Sequence, residues 1–113
     1  MRINEAIARA DELRINVIAQ EQKYTWVYEL EAKVAEMMDK EIERKQFPLD
    51  IELMMPDEHE DIYVKYLAAK IDYYNGEGEL YANDQTIFED AWSDARAWYI
   101  RTRGAKNYGN WRV

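Results

Sequence analysis

Cysteine is absent from this sequence. Disulfides, thiolate metal sites and a cysteine nucleophile are excluded together, so the fold has only its core to hold it. No apolar run approaches the roughly 20 residues that a bilayer-spanning helix needs, and the opening MRINEAIARADE has no continuous apolar segment of the signal-peptide kind. A soluble chain, cytoplasmic when made, is the expectation. Histidine occurs once, at His59, and there is no glycine-rich phosphate loop, no GxSxG and no HExxH. Acid–base chemistry would then fall to carboxylates. Glu89, Asp90 and Asp94 lie close on one helix, but nothing suggests an apolar pocket to raise a carboxylate pKa, so no catalytic residue is expected. The acids around His59 in PDEHEDIY point in different directions on a first helical turn and read as charge at a helix N-terminus, so neither a metal nor another cofactor is expected.

What is present is acid and aromatic surface. Residues 1–100 carry 11 Lys and Arg against 23 Asp and Glu, a balance of −12, whereas residues 101–113 carry Arg101, Arg103, Lys106 and Arg112 without an acid. Such a body repels nucleic acid over most of its surface, so specific DNA binding is not expected. Nine Tyr and four Trp in 113 residues exceed what one small core hides. Tyr and Trp combine a large apolar area with a polar tip, which suits interfaces.

Apolar spacing predicts an all-α fold, a small bundle of about four helices in a single domain over residues 1–103. Asn4 is placed to cap a short first helix carrying Ile3, Ile7 and Ala10 on one face, fading near Arg14. The second runs from about Gln20 to Lys40 with Val27, Leu30, Val34 and Met37 as its stripe. Asp57 is placed to cap the third with Glu60 completing a capping box, and Val64, Leu67, Ile71 and Tyr74 line it until Asn75-Gly76 stops it. The fourth runs from near Glu79 to Thr102 with Ile87, Phe88, Ala91, Trp92, Ala95, Trp98 and Tyr99 on its apolar face.

Three segments stand out as interface candidates. The long connection at 42–56 holds Phe47, Met54 and Met55, and its alternating LDIEL suits either folding back onto the bundle or strand-like pairing with a neighbouring subunit. The aromatic helix and turn offer Tyr63, Tyr66, Tyr73 and Tyr81, with Trp98 on the last helix. Residues 104–113, GAKNYGNWRV, lack apolar periodicity and read as a flexible basic arm with Tyr108 and Trp111 as anchors and Lys106 and Arg112 placed to meet an acidic surface.

The order of motifs from Pro56 to Arg103 carries a resemblance. A Pro-Asp loop, the YVKYL helix, the IDYYNGE turn, a YxND start to the last helix and an aromatic-rich end before RT resemble the C-terminal half of small head–tail connector proteins of tailed phages and prophages. INEAIARADEL and EQKYTWVYELEAKV are similar to the N-terminal half. The resemblance implies a virion structural protein forming a ring, a cyclic oligomer of itself, at the portal vertex. Its partners would be the portal protein and a tail-completion or stopper protein, with DNA passing through the channel. It implies assembly in the bacterial cytoplasm, and Tyr73, Tyr74 and Tyr81 would pack the helix 3–helix 4 turn and face a neighbour. Two other readings of the same residues are an acidic inhibitor that mimics DNA and a generic small helical adaptor.

Overall fold

A computed structural model describes residues 1–42 and 50–104. Among the described residues four helices make up the bundle: α1 (Ile3–Leu13), α2 (Gln20–Met37), α3 (Ile62–Tyr74) and α4 (Gly78–Tyr99), the last running into a π-helical turn, Ile100–Gly104. No strand occurs among the described residues, and the expected helical bundle is what forms.

α3 is the centre, packing against α1, α2 and α4. Nine of its thirteen residues are buried, from Ile62 through Leu67 to Asp72. A helix apolar around so much of its circumference has to be enclosed on several sides. That requirement absorbs much of the aromatic surplus: Tyr63 and Tyr66 are buried inside their own chain, Tyr66 edge-on to Phe88 with ring centroids 5.0 Å apart. The predicted core of Val27, Leu30, Val34, Leu67, Ile71, Phe88 and Ala95 is buried, with Trp92 packed half-buried at its edge. Ile87, expected on the inner face of α4, is instead exposed, because α4 lies on the outside of α3 and only a narrow stripe of it reaches the core.

Two predicted caps are replaced by contacts distant in sequence. Asn4 lies inside α1, and its N–H donates 3.0 Å to Oδ1 of Asp50, a residue of the long loop. Asp50 therefore satisfies a helix donor that no local side chain reaches, and its other oxygen accepts from Arg2 at 3.0 Å. The Asn4 amide, and then Arg2, hold the Asp50 carboxyl below the usual carboxylate range. α3 starts at Ile62 rather than after Asp57, since residues 57–61 form tight turns, with His59 N–H on the Pro56 carbonyl at 2.9 Å. Glu60 reaches the Met1 ammonium at 3.0 Å instead of closing a capping box. Asp50→Ala is expected to cost about 1 kcal/mol of stability, whereas Asn4→Ala should leave the denaturation midpoint nearly unchanged; equal effects would refute the distant cap.

The alternating loop segment does pair in strand fashion, but with its own chain. Arg2 and Glu52 form an antiparallel bridge, Ile3 N–H donating to Ile51 at 2.9 Å and Leu53 N–H to Met1 at 2.9 Å. Leu53 and Met55 turn inward and are buried. The edge suggested for a neighbouring subunit is thus occupied at Ile51–Leu53. A buried carboxylate fixes the next turn: Glu31 of α2 accepts from Tyr63 Oη at 2.5 Å and from Met54 N–H at 2.7 Å, while Tyr63 Oη accepts from Met55 N–H at 3.1 Å.

Candidate functional site

The α1–α2 connection and the α3–α4 turn meet at one end of the bundle. There Ile15 and Val17 stand 93% and 98% exposed, joined by exposed Leu13, Tyr73, Tyr74 and Leu80. Scattered apolar residues on a surface need no explanation, but a cluster at one end does.

This cluster is held rigidly. In the order Arg14-Ile15-Asn16-Val17-Ile18, alternate side chains point out and in, as an extended backbone dictates. Asn16 donates to Asp11 and to the Arg14 carbonyl, both at 2.9 Å, and its oxygen accepts from Ile18 N–H at 3.1 Å and Lys23 Nζ at 3.1 Å. Lys23, itself buried, also grips both Asp11 oxygens at 2.8 and 3.0 Å. Asn75, from the opposite turn, donates 3.0 Å to the Ile15 carbonyl.

Beneath lies an ion network. Arg14 Nε meets Asp72 at 3.0 Å and Nη2 meets Asp84 at 2.7 Å, joining the ends of α1, α3 and α4. Both carboxylates are buried, and Asp72 Oδ2 has no hydrogen-bond partner. One guanidinium faces two carboxylates. Burial, and next the neighbouring Asp84, push the Asp72 carboxyl up to about 6 against the opposing pull of Arg14. Asp84 and burial act in opposite senses on Arg14, whose guanidinium is nonetheless held more strongly charged.

The tyrosines at the turn divide in role. Gly76 takes the left-handed conformation at φ 75°, letting α3 reverse into α4. Tyr73 and Tyr81 meet edge-on across that turn at 5.3 Å, and Tyr74 meets Trp26 of α2 at 6.3 Å. Tyr73 and Tyr74 still expose most of their surface.

Of the interface candidates among the described residues, Tyr73 is the one that lies openly on the surface, with Tyr81, Met54 and Trp98 half-buried. Met55, Tyr63 and Tyr66 are corrected to interior residues, because the central position of α3 and the folded-back loop enclose them. Phe47, Tyr108, Trp111 and Arg112 lie outside the described residues, as does the arm beyond Gly104. His59 packs its ring on Trp98 at 5.1 Å. It lines an open cleft with Glu58, Asp61, Lys65, Asp90 and Asp94.

A second apolar feature lies at the far end of α2 and α4. Met37, Trp92, Tyr99 and Ile100 line a groove of about 650 Å³, with Lys33, Glu36 and Arg96 at its sides. No helix among the described residues is long and apolar enough to cross a membrane. Comparison with protein-family models, with curated proteins and with solved structures finds no match for this chain.

Proposed function

We propose that this chain is a structural connector of a tailed-phage virion, joining head to tail by forming a ring at the portal vertex. The observation that carries the reading is the rigidly held apolar end built from Ile15, Val17, Tyr73 and Tyr74. Polar groups of three helices fix aliphatic side chains in water, an arrangement that favours docking because little order remains to be imposed on binding. The motif order from Pro56 to Arg103 adds the class of partner: portal on one side, a tail-completion or stopper protein on the other. The acidic body suits a conduit through which DNA passes without being held.

Mass photometry with and without purified portal protein tests this. The isolated chain is expected to associate weakly and to form rings or portal-bound particles when portal is added. A chain that neither binds portal nor forms rings would sink the connector reading.

The basic arm contributes Tyr108, Trp111 and Arg112 to an adjacent subunit or the portal, opposite in charge to the body. Removing residues 105–113 should leave helical content and thermal midpoint nearly unchanged while weakening assembly. Equal assembly by truncated and full-length protein at matched salt would reject the arm as an interface element.

A further inference from the structure

α2 and α4 both begin at the apolar end and finish at the Met37–Trp92 groove, so the two features are separated by about 20 Å of helix. Their shapes are opposite. One end projects Ile15 and Val17 from a pinned extended segment, and the other is a hollow walled by Met37, Trp92, Tyr99 and Ile100.

Their nearest charges differ too. Around the projecting end the exposed acids are Glu12, Glu21, Glu77 and Glu79, while Arg9, one turn back on α1, is paired with Glu5, and Arg14 and Lys23 are tied to carboxylates beneath it. Among the residues that line the groove Lys33 and Arg96 outnumber Glu36, with exposed Arg101 on the turn after and exposed Glu29 and Glu89 on the turn before. An acid-rimmed apolar projection and an apolar hollow lined by Lys33 and Arg96 are complementary in shape, and those two bases can meet the acids of the projection.

From this we infer that the occupant of the groove is the Ile15–Val17 projection of a second copy of this chain. The inference rests on the assembly reading above and supplies its subunit contact. Because the two surfaces differ, the contact is heterologous: each added copy leaves one projection and one groove open, so copies join head to tail and close into a ring or run on as a filament.

The test uses full-length protein in sedimentation velocity over a concentration series. Ile15→Asp with Val17→Asp disables the projection, and Arg96→Glu with Ile100→Glu disables the groove; all four positions are exposed. Circular dichroism confirms that each variant keeps its helices; if a double variant unfolds, Val17→Asp or Arg96→Glu alone replaces it.

Wild type should self-associate as concentration rises to about 1 mM, and each variant alone should do so at least about tenfold more weakly. Mixed in equal amounts, the two variants should form a dimer that grows no further, since only one intact projection and one intact groove remain. Wild type that stays monomeric throughout the series overturns the inference. So does undiminished association of the groove variant alone, which means projections pair with each other, or of the projection variant alone, which gives the groove another occupant such as the arm. Portal binding is read separately, so the subunit contact can fail while the connector reading survives.

Discussion

Glu31→Ala is expected to destabilise the chain by roughly 3–4 kcal/mol, more than any surface substitution should. Two donors converge on this carboxylate, the buried Tyr63 hydroxyl and the part-buried Met54 amide. Each donor left without an acceptor costs on the order of 1–3 kcal/mol, and the vacated side chain leaves a cavity besides. Relief from burying the carboxylate offsets part of this, since burial already pushes its pKa up despite the bonds from Tyr63 and Met54. Glu31→Gln isolates the hydrogen bonds from the volume. Its carbonyl still accepts from Tyr63, but its amide group meets the Met54 donor, so an intermediate loss is expected. Equilibrium denaturation in urea of the three proteins measures the series. A Glu31→Ala midpoint equal to wild type would mean that the long loop is not anchored by Glu31.

This anchor also marks where the sequence was legible and where it was not. Helix positions followed from periodicity because each stripe is local: Val27, Leu30 and Val34 declare a face without reference to any other segment. Glu31 was hidden by its charge, yet it stands four residues after Val27 and three before Val34, squarely on that face. Asp72 beside Ile71, and Asp84 four residues before Phe88, carry the same faint signal. An acid in register with an apolar stripe is a buried-network candidate, and the partners that make it affordable come from elsewhere in the chain. The cap of α1 failed for a related reason: its acceptor, Asp50, is 46 residues away and no local pattern announces it. Ile15 and Val17 sit in a connection too short to show periodicity, and nothing in their identity says that they face water. Tyr63, Tyr66 and Tyr73 belong to one aromatic run, but only the fold separates the two that fill the core from the one that is exposed.

Acidification from pH 7 to pH 5 is expected to stabilise this protein, opposite to the usual behaviour of a chain rich in carboxylates. Asp72 titrates at about 6 in the folded chain against 3.8 when unfolded. The folded state therefore binds the proton more tightly, and this group's stabilisation is complete below 3.8 and lost as pH rises through about 6. The gap between those values corresponds to a contribution on the order of 3 kcal/mol. Geometry supplies the reason: Asp72 Oδ2 is buried without a partner beside Asp84, and a proton placed there turns two repelling carboxylates into a hydrogen-bonded pair over one Arg14. Glu31, also pushed up by burial, acts in the same direction, and Asp50, held down, loses its contribution only below 3.8. Reduced self-repulsion of a chain with net charge −8 adds to the trend, so the slope alone does not identify Asp72. Asp72→Asn does. Its carbonyl keeps an acceptor for Arg14 and its amide donates toward Asp84, mimicking the protonated state at every pH. Thermal midpoints of Asp72→Asn should exceed wild type at pH 8, keep a smaller lead at pH 5 with a shallower slope between, and converge with wild type only below 3.8, where the unfolded carboxyl is protonated as well. Equal slopes for variant and wild type, or a variant less stable at pH 8, would show that Asp72 does not hold the extra proton in the folded chain.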